Sequence, residues 1–171
     1  MTRLAVIGHS LIHVRQQKFF ELLAAQEKVD VTLYCPDEWG NQRASPRSAV
    51  RGAFRVKPLS AVGPPEPNAS RFRLIGLEKE LTEGAYDWVY LNQEAGSTLA
   101  ADVTNILGKR PASKLGLFTW QNVPELLVDG EAVLREMALV VCGNDAAEMA
   151  VRQWNQNTVV LPQVGVDTDH F

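Results

Sequence analysis

The sequence predicts a doubly wound, mostly parallel α/β sheet in three layers, α/β/α. Three observations carry this reading. Six short runs, Leu4–Ile7, Val29–Cys35, Asp87–Leu91, Leu115–Phe118, Leu139–Cys142 and Thr158–Leu161, are mostly apolar on both faces, as in parallel strands covered on each side. Stretches with helical apolar spacing separate several of them. Small and polar residues follow the strands directly, and sheets of this kind bind ligands beyond their carboxyl ends, near the point where strand order reverses.

Each element has its own signal. After the first run, Leu11 to Gln26 carries Ile12, Phe19, Leu22 and Leu23 at helical intervals. The alternating Phe54-Arg55-Val56-Lys57-Pro58 reads as a third strand, at an edge because proline cannot donate to a ladder. Leu99, Val103, Ile106 and Leu107 form one helical stripe, with Ser97 as its cap and Gly108 and Pro111 as its stop. Asn122, Pro124 and Glu125 suggest a reciprocally capped helix start. Asn144 is the expected N-cap of a helix buried through Ala147, Ala150, Val151 and Trp154.

At 171 residues, 46% hydrophobic and 22% charged, the chain reads as a single domain, 1–171, with a real core. A formal charge of −3 disfavours general nucleic-acid binding. Cys35 and Cys142 each end an apolar run and read as reduced core thiols of a cytoplasmic protein. No run approaches the ~18 apolar residues of a membrane span; peripheral contact at the inner face of a membrane stays open. Segment 37–73 departs from the rhythm: it holds seven basic residues (Arg43, Arg47, Arg51, Arg55, Lys57, Arg71, Arg73) against Asp37, Glu38 and Glu66. It reads as a long loop, either a solvated basic surface or a contact for an anionic acceptor or lipid head group.

Candidate site residues follow from the strand ends. Gly8-His9-Ser10 forms the first strand-to-helix turn, suited to a phosphate or sugar hydroxyl. It lacks the G-x-G-x-x-G of a nicotinamide-binding turn. His9 and His13 are four apart, but no third ligand is evident, so no metal is expected. Arg15 is either a solvated helix residue or an anion contact. Glu94, in "LNQEAGS", is a surface carboxylate, a sugar hydrogen-bond acceptor or a cap for a neighbouring loop. In "FTWQNVPE", Trp120 offers an aromatic face and Gln121 a two-sided amide, both suited to carbohydrate; the plainer alternative is a core tryptophan and a backbone-tied glutamine.

The closing stretch "VVCGNDAAEMAVRQWNQNTVVLPQVGVDTDHF", with "GHSLIHVRQQKFFELLA" and "FTWQNVPE", resembles the N-terminal domain of family-4 retaining glycosyltransferases of the GT-B fold. In that family a P-x-G-V-D-x-x-x-F motif closes the first Rossmann-like domain; here it spans Pro162 to Phe171, with Gly165, Val166 and Asp167 as the turn and one extra residue before the glycine. The resemblance implies the acceptor-side half of a GT-B enzyme, inactive alone, with a donor-binding domain following in the same chain or supplied by another. It implies transfer of a sugar from a nucleotide-diphosphate sugar, as co-substrate, to a glycan, lipid-linked or small-molecule acceptor, with no cofactor and no obligatory metal. Gly8 and His9 would approach the donor diphosphate. His9, Ser10, Arg15, Glu94, Trp120, Asn122 and Asn144 would line the acceptor side. Gln121 stands where many relatives carry histidine, so its part would be hydrogen bonding only. A face normally covered by the other domain would favour self-association, as a homodimer. The rival expectation is a non-catalytic, flavodoxin-like binding or assembly subunit that needs a partner chain. A GT-B sugar epimerase would call for more acid–base groups than His9, Glu94 and Asp167.

Overall fold

Thr2–Ile7 (β1) opens the chain in the computed structural model, which describes residues 1–26, 28–48, 53–64, 68–108 and 112–161. The further elements are Val14–Ala24 (α1), Val29–Pro36 (β2), Glu38–Trp39 (β3), Gln42–Arg43 (β4), Arg47–Ser48 (β5), Phe54–Leu59 (β6), Ala61–Val62 (β7), Arg73–Leu74 (β8) and Leu77–Gly84 (α2). Then come Trp88–Leu91 (β9), Thr98–Gly108 (α3), Lys114–Thr119 (β10), Pro124–Leu127 (α4), Glu131–Glu136 (α5), Leu139–Cys142 (β11), Asp145–Val151 (α6) and Thr158–Val160 (β12).

The main sheet runs β12-β11-β10-β9-β1-β2-β6-β5. All neighbours pair in parallel except β5 with β6. Strand order reverses between β1 and β9, the arrangement of a Rossmann-like sheet. Side-chain alternation divides β1 between two cores. Ala5 and Ile7 join the larger one, packed under α2, α3, α5 and α6, and Val6 joins the one under α1. The predicted α/β class is therefore the observed one.

The departures have local causes. The third strand is β6, but it is not the edge, because the short β5 pairs antiparallel outside it at Arg55 and Val56. Pro58 lies beyond that pairing and opposite Cys35, so its missing N–H falls on the open side of the strand. The segment expected as one long loop contains two small antiparallel ribbons, β3–β4 and β7–β8. Among the described residues, five of its basic side chains make ion pairs within the chain, the Arg43 and Arg73 pairs with the arginine largely exposed. Arg43 pairs with Glu38, Arg47 with Glu21, Arg55 with Asp30, Lys57 with Glu80 and Arg73 with Asp102.

The first helix is also rephased. His9–Ile12 is a 3₁₀ turn, and His13 is extended before α1 begins. The buried face of α1 is consequently Gln17, Phe20 and Ala24, while Phe19 and Leu22 are exposed. Gln17 was invisible to an apolar pattern. It is held in the interior because its amide donates to the Leu11 carbonyl and accepts from Arg47. Two helices, α2 and α5, were not anticipated; each is short and buries only a pair of side chains, Leu77 with Leu81 and Val133 with Leu134. Asn155 closes α5 by donating to the carbonyls of Leu134 and Met137, both at 2.7 Å. Among the described residues no buried side-chain nitrogen or oxygen lacks a partner, and no helix is long and apolar enough to cross a membrane.

Candidate functional site at the strand-order reversal

Parallel strands deliver their trailing loops to one rim, and β1 and β9 meet there at the reversal. Gly8 ends β1. Its N–H donates to the Tyr34 carbonyl at 3.2 Å, and a Cβ built on it would lie 2.4 Å from the Asn92 carbonyl oxygen. Its φ is near 180°, so the requirement is space and not conformation. The room that glycine leaves is taken by the backbone after β9, and the rim N–H groups belong to a 3₁₀ turn instead of an α-helix start.

His9 and Gln93 project from those two strands toward each other. His9 Nδ1 is 2.7 Å from Gln93 Oε1, and the Gln93 amide nitrogen donates to the Ala69 carbonyl. The His9 ring also meets Trp39 at 5.3 Å and Phe72 at 6.1 Å between centroids, and those two rings lie 4.8 Å apart. Beside them Asn92 donates to Ser10 Oγ at 2.9 Å, so Ser10 braces the two loops and does not cap a helix. Gln93, Trp39 and Phe72 were not among the predicted site residues. The β3–β4 hairpin that carries Trp39 turns through Gly40 at φ 59° and Asn41. "WGNQ" is a readable two-residue turn signal, but nothing local says that the ribbon folds back over the rim.

A second cluster lies one strand along. Glu94 accepts from Thr119 Oγ1 at 2.6 Å and from the Trp120 N–H at 3.3 Å. Among the three readings of Glu94, the loop cap is the one observed. Trp120 is 45% exposed. One face of its indole lies against Gly143, where a Cβ would come within 2.2 Å of the ring, and Phe118 meets it edge-on at 5.5 Å. Part of the aromatic face therefore remains open to a ligand.

The remaining predicted residues separate. Gln121 is tied to backbone: its N–H donates to Thr119 Oγ1 and its Oε1 accepts from the Val123 N–H at 3.3 Å. Asn122 does not cap α4, whose N-cap is Val123 with Pro124 following in the first turn and no side-chain cap bond. Asn144 caps α6, accepting from the Ala147 N–H at 2.9 Å, as expected. Arg15 is exposed on α1 and makes no ion pair among the described residues. His13 is exposed at the start of that helix, and no metal-binding group of histidine, cysteine or acidic residues occurs among the described residues. Gly165, Val166 and Asp167 lie outside the described residues. Cys35 and Cys142 are buried and unpaired; burial, with Asp37 nearby, pushes the Cys35 thiol up to about 12.

Comparison of this chain with family models, curated proteins and solved structures finds no match.

Proposed function

We propose that this chain is the acceptor-binding, Rossmann-like domain of a retaining GT-B glycosyltransferase. The observation that carries the reading is the convergence of His9, Ser10, Glu94 and Trp120 on adjacent loops at one rim of the reversing sheet. A sugar ring stacks on the open face of Trp120, and its hydroxyls hydrogen-bond to His9 and Ser10. Arg71, exposed one residue before Phe72 and without an ion pair among the described residues, is the cation for an anionic or lipid-linked acceptor. The nucleotide-diphosphate sugar is held by a second domain, in this chain or another. Donors in the closed cleft stabilise the leaving diphosphate, and the acceptor hydroxyl is brought to attack distance between the two halves.

Titration of the purified chain with sugar fragments, read by tryptophan fluorescence, tests this. Wild type responds, Trp120→Ala loses the response, and a nucleotide sugar alone gives little signal. Absence of any sugar response would sink the acceptor reading. Sugar transfer by the 171-residue chain alone would sink its assignment as a half-site.

A non-catalytic assembly subunit is the second reading. Exposed apolar side chains favour it: Phe19 and Leu22 on α1, Leu126 on α4 and Met149 on α6. Such side chains suit either a partner chain or a second copy. A flavodoxin-like version fits less well, because flavodoxin sheets place the second strand at the edge, next to the first, whereas here β6 lies outside β2. Light scattering across a concentration series distinguishes self-association from a monomer.

A further inference from the structure

Gln93 is 6% exposed, and its amide has no freedom to turn. Its nitrogen donates to the Ala69 carbonyl, a group that can only accept. Turning the amide over would set two oxygens against each other. The atom facing His9 is therefore Oε1, which also only accepts, at 2.7 Å from Nδ1. His9 Nδ1 must carry the proton, so in the neutral ring the lone pair is left on Nε2. Among the described residues Nε2 makes no hydrogen bond. Trp39 and Phe72 hold the ring plane, and the ring itself is only partly buried.

We propose that Gln93 is a positioning residue: it holds His9 as the Nδ1–H tautomer so that Nε2 accepts a hydrogen bond from a hydroxyl of the ligand bound at the rim. The polyhydroxylated ligand class rests on the acceptor reading above; the tautomer does not. The arrangement follows from the two strands at the reversal. The turn after β1 supplies the ring, the loop after β9 supplies the amide that orients it, and the loop containing Ala69 fixes the amide.

The test is long-range ¹H–¹⁵N correlation of the histidine rings in the ¹⁵N-labelled chain, at a pH well above the ordinary histidine value of about 6.5. The chain has three histidines, and His13→Gln with His170→Gln assigns the His9 signals. Wild type shows the Nδ1–H pattern. Gln93→Leu shifts it toward Nε2–H, and Gln93→Glu, which keeps an acceptor for Nδ1 but sets its other oxygen against the Ala69 carbonyl, retains it at some loss of stability. Titration with the methyl glycosides of glucose, galactose and mannose moves the Nε2 resonance in wild type and Gln93→Glu, with affinity at least threefold weaker in Gln93→Leu. An Nε2–H ring in wild type overturns the positioning role even if a glycoside binds, and so does a tautomer unchanged in Gln93→Leu. Should Gln93→Leu not fold, the wild-type pattern and its retention in Gln93→Glu decide the same point. An Nδ1–H ring that no glycoside perturbs overturns the role assigned to Nε2, and with it the acceptor reading for this part of the rim.

Discussion

One carboxylate oxygen of Glu94 lies 2.6 Å from Thr119 Oγ1, so the loop after β9 is tied to the end of β10 through a buried hydroxyl. The other oxygen accepts from the Trp120 N–H, and the same hydroxyl accepts from the Gln121 N–H at 2.9 Å. Removing the carboxylate strands a buried donor, at a cost of about 1–3 kcal/mol. Glu94→Ala is expected to lower the unfolding free energy from urea titration by that amount and to make Trp120 more accessible to acrylamide quenching. Stability within about 0.5 kcal/mol of wild type, the ordinary range of an uninvolved surface position, would show that the tie is idle.

Gly8 and Gly143 both sit under close neighbours, but the neighbours differ. At Gly8 an added methyl meets backbone, the Asn92 carbonyl; at Gly143 it meets the indole of Trp120. Backbone yields less readily than a half-exposed ring. Gly8→Ala is expected to cost about 1–3 kcal/mol, as overpacking does, and about 2–4 °C of Tm per kcal/mol in a domain of this size. Gly143→Ala should instead displace the indole, seen as a shift of tryptophan emission with a smaller loss of Tm. The reverse ranking would contradict the packing described at the rim.

Burial raises the Cys35 thiol to about 12, and raises Cys142 to about 11 with Glu148 adding to the shift and Arg152 opposing it. At pH 8 almost no thiolate exists at either position, and the thiolate is the reactive form. Ellman's reagent is therefore expected to label the native chain no faster than it unfolds, and to label both thiols promptly in denaturant. Prompt labelling of native Cys142 would mean that the end of β11 is open.

Lys57 donates to Glu80 at 2.7 Å, and Tyr34 donates to the same oxygen at 2.9 Å. The Glu80 carboxyl is held below its ordinary value, first by the Lys57 hydrogen bond and opposed by partial burial. A carboxyl depressed on folding stabilises the fold above its unfolded pKa, about 4.3 for glutamate, and loses that contribution as pH falls through the folded value. Both side chains are partly exposed, 46% for Lys57 and 31% for Glu80, so the contribution is about 1 kcal/mol or less. Glu80→Gln is expected to be slightly less stable than wild type at pH 7, with the gap closing below about pH 4. A gap that stays constant with pH would assign the effect to packing.

The strands were legible because each is short, apolar on both faces and bounded by small or polar residues. Asn144 and Ser97 were legible as caps because capping is local: each accepts from an N–H three residues on, Ala147 and Ala100. Asn122 misled because the helix starts one residue later than the pattern places it: extended Val123 is the N-cap, and its side chain has no oxygen to offer. The face of α1 was misread because an extended His13 resets the helical phase, and because Gln17 hides in the core on hydrogen bonds that an apolar pattern cannot register.

By itself, then, the chain's amino-acid order determined a parallel α/β sheet and the loops that would carry its chemistry, since burial on both faces and end-capping are encoded within a few residues. Only the tertiary structure decided which of those loops touch. The reversal between β1 and β9 brought His9 to Gln93, and the fold-back of segment 37–73 brought Trp39 and Phe72 to the same ring. Those contacts join residues 30 to 84 positions apart, and their geometry depends on strand order, which no local pattern of side chains specifies.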